Sequence, residues 1–142
     1  MFNAYRHASR HAADLYRQMD VETAVPSADP HRLVVLLYDG AIGAIAQART
    51  KADQPSERGT LVSRAIRIID EGLKAAVNDD AGELSENLRA LYDYMQQRLL
   101  IGNAHRDDAA LGEVATLVAD LRDAWLAIAP VKEIGGRLSV QG

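Results

Sequence analysis

The chain has 142 residues, 48% of them hydrophobic and 25% charged, the make-up of one folded domain with its own core rather than of a disordered tether. A net charge of −4 argues against a general nucleic-acid binder, and the absence of cysteine excludes disulfides, thiolate nucleophiles and thiolate metal sites. An apolar run as long as any here, LVVLLY, is too short to cross a bilayer, and MFNAYRHASRHAADLY lacks the apolar core of a secretory signal, so a cytoplasmic protein without membrane insertion is expected.

Residues 1–28 precede the first clear helix signal; Ala13, Tyr16 and Met19 make part of them amphipathic, suited to covering an apolar surface. The first long helix begins where Asp29 offers a capping carboxylate and Pro30 suits the first helical position, and it runs to about Ala52. Its seam is Val34, Tyr38, Ala41, Ile45, Ala48 and Ala52. The second helix starts between Ser56 and Thr60 and carries Val62, Ile66, Ile69, Leu73 and Val77 on one face. In the turn NDDAG, Asp80 and Glu83 have the spacing of an acidic capping box for the third helix. That helix lines up Leu84, Leu88, Leu91, Met95 and Leu99 and reaches about His105. Asp107 or Asp108 caps the fourth, whose seam is Leu111, Val114, Val118, Leu121, Trp125 and Ile128, before Pro130 stops it.

Helices of about 20 residues joined by short loops favour antiparallel neighbours. The expected fold is therefore all-α, an antiparallel up-down four-helix bundle about 30 Å long with an N-terminal capping segment. A single domain over 1–142 is expected: 1–28 as cap, 29–129 as bundle, 130–142 as flexible tail.

The apolar residues exceed what one seam needs. Leu33, Leu36 and Leu37 lie beside the first seam together with the small row Gly40, Ala44 and Ala48. Leu61, Ala65, Ile68 and Gly72 flank the second, and Tyr92, Leu100 and Ile101 add to the third. Such an excess serves either a wide bundle core or a groove for a partner helix, and periodicity alone does not choose between them.

Chemistry finds little support. Carboxylate-bridged metal bundles need Glu-x-x-His pairs, and no Glu here is followed three residues later by His. His7 and His11 share a helical spacing but have no third ligand nearby, and read as solvated side chains. His31 follows a cap, and His105 ends a helix, where a cation suits the dipole. The GxxG of DGAIGA lies inside a helix and reads as packing, and Asp39 reads as a structural pairing residue. No catalytic residue, cofactor or metal is expected; a binding protein is.

The stretches SADPHRLVVLLYDGAI, AIRIIDEGLKAAV, NLRALYDYMQQRLL and EVATLVADLRDAW, in this order and spacing from about Tyr16 to Pro130, resemble the flagellar secretion chaperone family, FliS. The resemblance implies a four-helix bundle whose N-terminal segment caps a hydrophobic surface. It also implies a client, the disordered C-terminal region of flagellin, which wraps the bundle, is kept from polymerising, and is received with the chaperone by the cytoplasmic domain of the flagellar export gate. Carried over residue by residue, Tyr16 matches a tyrosine implicated in the export-gate contact; Ser27 and Pro30 match the helix entry; Tyr38, Asp39 and Gly40 match the YDG block; Tyr92 and Met95 match the later aromatic–methionine pair. The flagellin-binding groove is expected at Leu37, Tyr38, Ala41, Ile45, Ile66, Ile69, Tyr92, Met95 and Leu99, in a monomer that takes one client. Two departures stand out: the chain extends further ahead of Tyr16, so Tyr5 competes for its role, and the family's Gly-Gly turn is Ala81-Gly82. The alternatives from other classes are a self-associating helical module and a metal-binding helical-bundle protein.

Overall fold

The computed structural model describes residues 29–128, and among these the chain forms four helices and no strand. They are α1 (Pro30–Arg49), α2 (Pro55–Arg67), α3 (Glu83–Ala104) and α4 (Asp108–Ala127). α2 runs on through a π-helical turn, Ile68–Leu73, and a 3₁₀ turn, Lys74–Ala76. The proposed cap 1–28, with Tyr5, His7, His11 and Tyr16, and the proposed tail 130–142 lie outside the described residues.

Local chemistry starts α1 and α4 as expected. The Asp29 carboxylate accepts from the Arg32 backbone N–H at 3.1 Å with Pro30 in the first turn, and the Asp107 carboxylate accepts from the Ala110 N–H at 3.3 Å. Such caps satisfy donors that the helix itself leaves open and are worth about 1 kcal/mol each.

Side chains reaching between helices fix direction and order. Arg49 at the end of α1 pairs with Asp108 at the start of α4, while His31 at the start of α1 stacks on Trp125 near the end of α4. Arg58 early in α2 bonds Asn103 late in α3, Lys74 pairs with Asp93, and Arg98 of α3 pairs with Glu113 of α4. Each helix is thus antiparallel to both its neighbours, in the cyclic order α1–α2–α3–α4, as expected of an up-down bundle.

The core is centred on α1, where Leu33, Val34, Val35, Leu36, Leu37 and Tyr38 are buried in succession, followed by Ala41, Ala44, Ile45 and Ala48. The alanines let α2 and α4 approach closely, and each buried Leu or Val contributes about 1.5–3 kcal/mol. Of the excess over one seam in α1, Leu33, Leu36, Leu37, Ala44 and Ala48 are interior and Gly40 is half-buried.

Four expectations need correction. The second helix does not continue as an even α-helix to Val77. In the π turn, the Lys74 N–H bonds to the Ile69 carbonyl five residues back, and each residue turns the chain through a smaller angle. Adjacent residues therefore face inward together, and Ile68 with Ile69 and Gly72 with Leu73 are all buried. The acidic capping box is absent: Gly82, at φ 61°, occupies the N-cap of α3 with no side-chain bond, and Asn78 instead accepts from the Asp80 N–H at 2.9 Å in a 3₁₀ turn, Asp79–Ala81. The inward line of α3 passes through Ser85, not Leu84, because the buried Ser85 hydroxyl is satisfied by the Asn78 carbonyl. From there it runs through Leu88, Tyr92, Met95, Leu99 and Gly102. Finally, Ala52 lies beyond the end of α1 and Ile128 beyond the end of α4, and both are exposed.

Candidate functional site

The nine residues expected to line a groove come together, but inside the bundle. Leu37, Tyr38, Ala41 and Ile45 of α1, Ile69 of the π turn, and Tyr92, Met95 and Leu99 of α3 are buried, and Ile66 is half-buried at the edge of the same cluster. At its centre the Tyr38 and Tyr92 hydroxyls meet across the diagonal between α1 and α3 at 2.8 Å. Burial raises the pKa of both phenols above its ordinary value, so both stay neutral and one hydroxyl donates to the other. No base among the described residues bonds to the pair to make either oxygen a nucleophile; it braces the two diagonal helices.

The exposed apolar surface lies elsewhere. On the outward face of the C-terminal half of α3, Tyr94, Leu100 and Ile101 reach solvent, and Leu100 is 59% exposed. Ion pairs border this patch on both sides. Toward α4, Arg98 donates to Glu113 at 2.9 Å, and the Tyr94 hydroxyl donates to the same carboxylate. Toward α2, Lys74 pairs with Asp93 at 2.6 Å, and Gln96 donates to Asp70 at 3.3 Å. The Tyr94 bond ties one member of the patch to its polar border. It is the first cause of the lowered Glu113 pKa, ahead of the Arg98 guanidinium, and it also raises the Tyr94 pKa. Tyr94, Leu100 and Ile101 surround the exposed Gln97 on this face, a mixture of apolar and polar groups of the kind found at protein-binding surfaces.

Further exposed apolar residues lie toward the opposite end of the bundle, Leu84 in the first turn of α3, Leu126 in the last turn of α4 and Ile128 just beyond it. Leu100 and Ile101 were legible as apolar excess on the third helix. Tyr94 and Leu126 fall outside the seams legible in the sequence, and large apolar residues off the 3-4 spacing are the signal that marks them.

The remaining polar residues are structural. Asp39, interrupting the apolar run of α1, pairs with Arg122 of α4. Arg49 grips Asp108 through two nitrogens at 2.9 and 2.8 Å, and this bond holds the Asp108 carboxyl below the usual range. His31 and Trp125 stack at 4.8 Å, and the indole N–H donates to the His31 carbonyl at 3.0 Å. Among the described residues no three His, Asp or Glu side chains converge as a metal site would require, and no helix is long and apolar enough to cross a membrane.

Comparison with known proteins agrees with this architecture. The family model described as flagellar protein FliS matches residues 12–132. The flagellar secretion chaperone FliS of Salmonella typhimurium is 44% identical over 118 residues, covering 81% of this chain and 87% of that protein. That of Escherichia coli is 39% identical over 113 residues, 78% of this chain and 83% of the other. The flagellar secretion chaperone FliSB of Pseudomonas aeruginosa is 40% identical over 113 residues, 78% and 89% respectively. With most of its length matched, and with four antiparallel helices built on those same stretches, the chain belongs to the FliS family of flagellar proteins.

Proposed function

We propose that this protein is a cytosolic export chaperone for flagellin. It holds the disordered C-terminal region of one flagellin molecule, keeps that molecule from polymerising, and delivers it to the cytoplasmic domain of the flagellar export gate. The observation that carries the reading is the set of exposed apolar side chains on the outward face of α3, present in a chain whose relatives are named flagellar secretion chaperones.

Energetics set the extent of the interface. Covering the exposed halves of Tyr94, Leu100 and Ile101 is worth about 1 kcal/mol each, or about 3 kcal/mol together. Ordering a disordered client segment costs about 2–5 kcal/mol. The α3 patch alone therefore breaks even, and tight binding requires the client to run on over further surface. Leu84, Leu126 and Ile128, exposed toward the opposite end of the bundle, offer the next such surface, so a client wrapping along α3 runs toward them. In this reading Leu37, Tyr38, Ala41, Ile45, Ile66, Ile69, Tyr92, Met95 and Leu99 support the bundle from its interior rather than touch the client, and Tyr16 meets the export gate.

Seeded polymerisation of full-length flagellin, followed by light scattering, tests the reading. One equivalent of the chain should suppress filament growth, and a Leu100→Asp/Ile101→Asp variant should suppress it far less. Unchanged growth with an equivalent of wild-type protein would refute a flagellin-holding role. Concentration-dependent growth in the mass of the chain by itself would point instead to a self-associating module using the same face.

A further inference from the structure

Where the α1–α2 connection meets the α3–α4 turn, a pocket of about 220 Å³ opens to solvent, lined by Arg49, Arg58 and Arg106 with Asp53, Asp108 and Gly102. Three guanidinium groups meet two carboxylates there, a surplus of one positive charge. Arg49 and Asp108 are committed to each other through two hydrogen bonds.

Arg58 is different. It is only 6% exposed, yet no carboxylate among the described residues pairs with it; its Nε and Nη2 donate to the side-chain and backbone oxygens of Asn103 at 2.9 and 3.3 Å, and its Nη1 donates to the Ala52 carbonyl at 2.9 Å. These neutral partners use three of five N–H donors and leave the charge uncompensated, a costly state for a buried cation. Arg106, just beyond the end of α3, makes no side-chain hydrogen bond or ion pair among the described residues. At φ 55° it is also the one described non-glycine residue with a positive φ. Gly102 keeps this end of the fold tight, since a Cβ there would stand 3.0 Å from Ala110 Cβ.

We propose that this pocket is a carboxylate-binding subsite, in which the free donors of Arg58 and Arg106 hold one carboxylate of a bound peptide. A planar carboxylate matches the fork of guanidinium donors, and a single negative charge matches the surplus of one. A phosphate dianion would add a second negative charge against Asp53 and Asp108. The pocket's volume suits one side chain or chain end. The proposal rests on the chaperone reading only for the source of the carboxylate: the client's chain terminus or one of its acidic side chains.

Nitrogen-detected titration of the arginine Nε–H signals of the full chain tests it without flagellin. N-acetylglycine presents a terminal carboxylate, N-acetylglutamic acid α-amide a side-chain carboxylate, and N-acetylglycinamide none. Saturable shifts of Arg58 and Arg106 are expected with one or both acids and not with the amide, and whichever acid binds more tightly identifies the source. The exposed substitution Arg106→Gln should weaken that binding about fivefold or more. Shifts that fail to saturate, that appear equally with the amide, or that persist unweakened in Arg106→Gln would overturn the subsite. Acid-specific shifts in a chain that leaves flagellin polymerisation untouched would sink the chaperone reading alone.

Discussion

Leu100 and Tyr92 sit two turns apart on α3 and answer to different physics. Leu100 touches mostly solvent, so Leu100→Asp should cost only about 1 kcal/mol of stability, from helix propensity and a negative charge near the C-terminal end of α3. If the outward face of α3 receives the client, the same change should weaken flagellin binding by about tenfold or more, since it sets a charge into a dehydrated apolar contact. Thermal melts and binding titrations on one preparation separate the two effects, and equal affinity would remove Leu100 from the interface. Tyr92→Phe should instead cost about 1–3 kcal/mol of stability, because it strips the buried Tyr38 hydroxyl of its partner. Adding Tyr38→Phe should cost less than the two single changes summed, which a double-mutant cycle in urea will read.

At the scale of the elements, the glycines show which contacts are tight. Gly43 lies inside α1, and a Cβ added there would meet nothing within 4 Å, so Gly43→Ala should stabilise the fold by about 1 kcal/mol through helix propensity. Gly102→Ala, also helical, should destabilise by about 1–3 kcal/mol, because its Cβ would press on Ala110, the Asp107 carbonyl and Leu111 at 3.0–3.2 Å. Opposite shifts in urea midpoint are the expected outcome. The start of α1 and of α4 was legible because the cap residue, the first-turn proline of α1 and the apolar period all pointed the same way. The π turn was not: Ile68 and Ile69 carry no local mark that separates a π turn from an α-helix, and only packing of both side chains into one interior selects it. Gly82 likewise displaced the expected Asp80–Glu83 box because its positive φ turns the chain into α3 without a side-chain cap. The nine groove positions are apolar in the sequence, and in the structure they share one cluster. Which side of the closed bundle they face depends on all four helices at once, so a single helix's pattern could not place them in the interior.

For the whole molecule, ion pairs link neighbouring helices, and among the described residues two carry a pH signature in the acid range. The Arg49 hydrogen bond lowers the pKa of Asp108, and the Tyr94 hydroxyl, followed by Arg98, lowers that of Glu113. A lowered folded-state pKa means that the unfolded chain binds more protons in the acid range. The stability these groups contribute is therefore complete above the ordinary carboxylate range, about pH 4, and is lost as pH falls through their folded values. Asp108→Asn should flatten the fall of the urea midpoint between about pH 5 and pH 3 relative to wild type; an unchanged slope would show that the pair does not couple to folding. Both groups are exposed, so the effect is small beside the buried core of α1. That core holds the four helices together, and in the proposed function the outward face of α3 receives the client.

Calorimetric titration of the full chain with a peptide from the C-terminal region of flagellin, repeated at several temperatures, tests that claim most directly. One-to-one binding with a clearly negative heat-capacity change, weakened in Leu100→Asp/Ile101→Asp, is the predicted result. Absence of binding heat at every temperature, together with failure to co-elute, would contradict it.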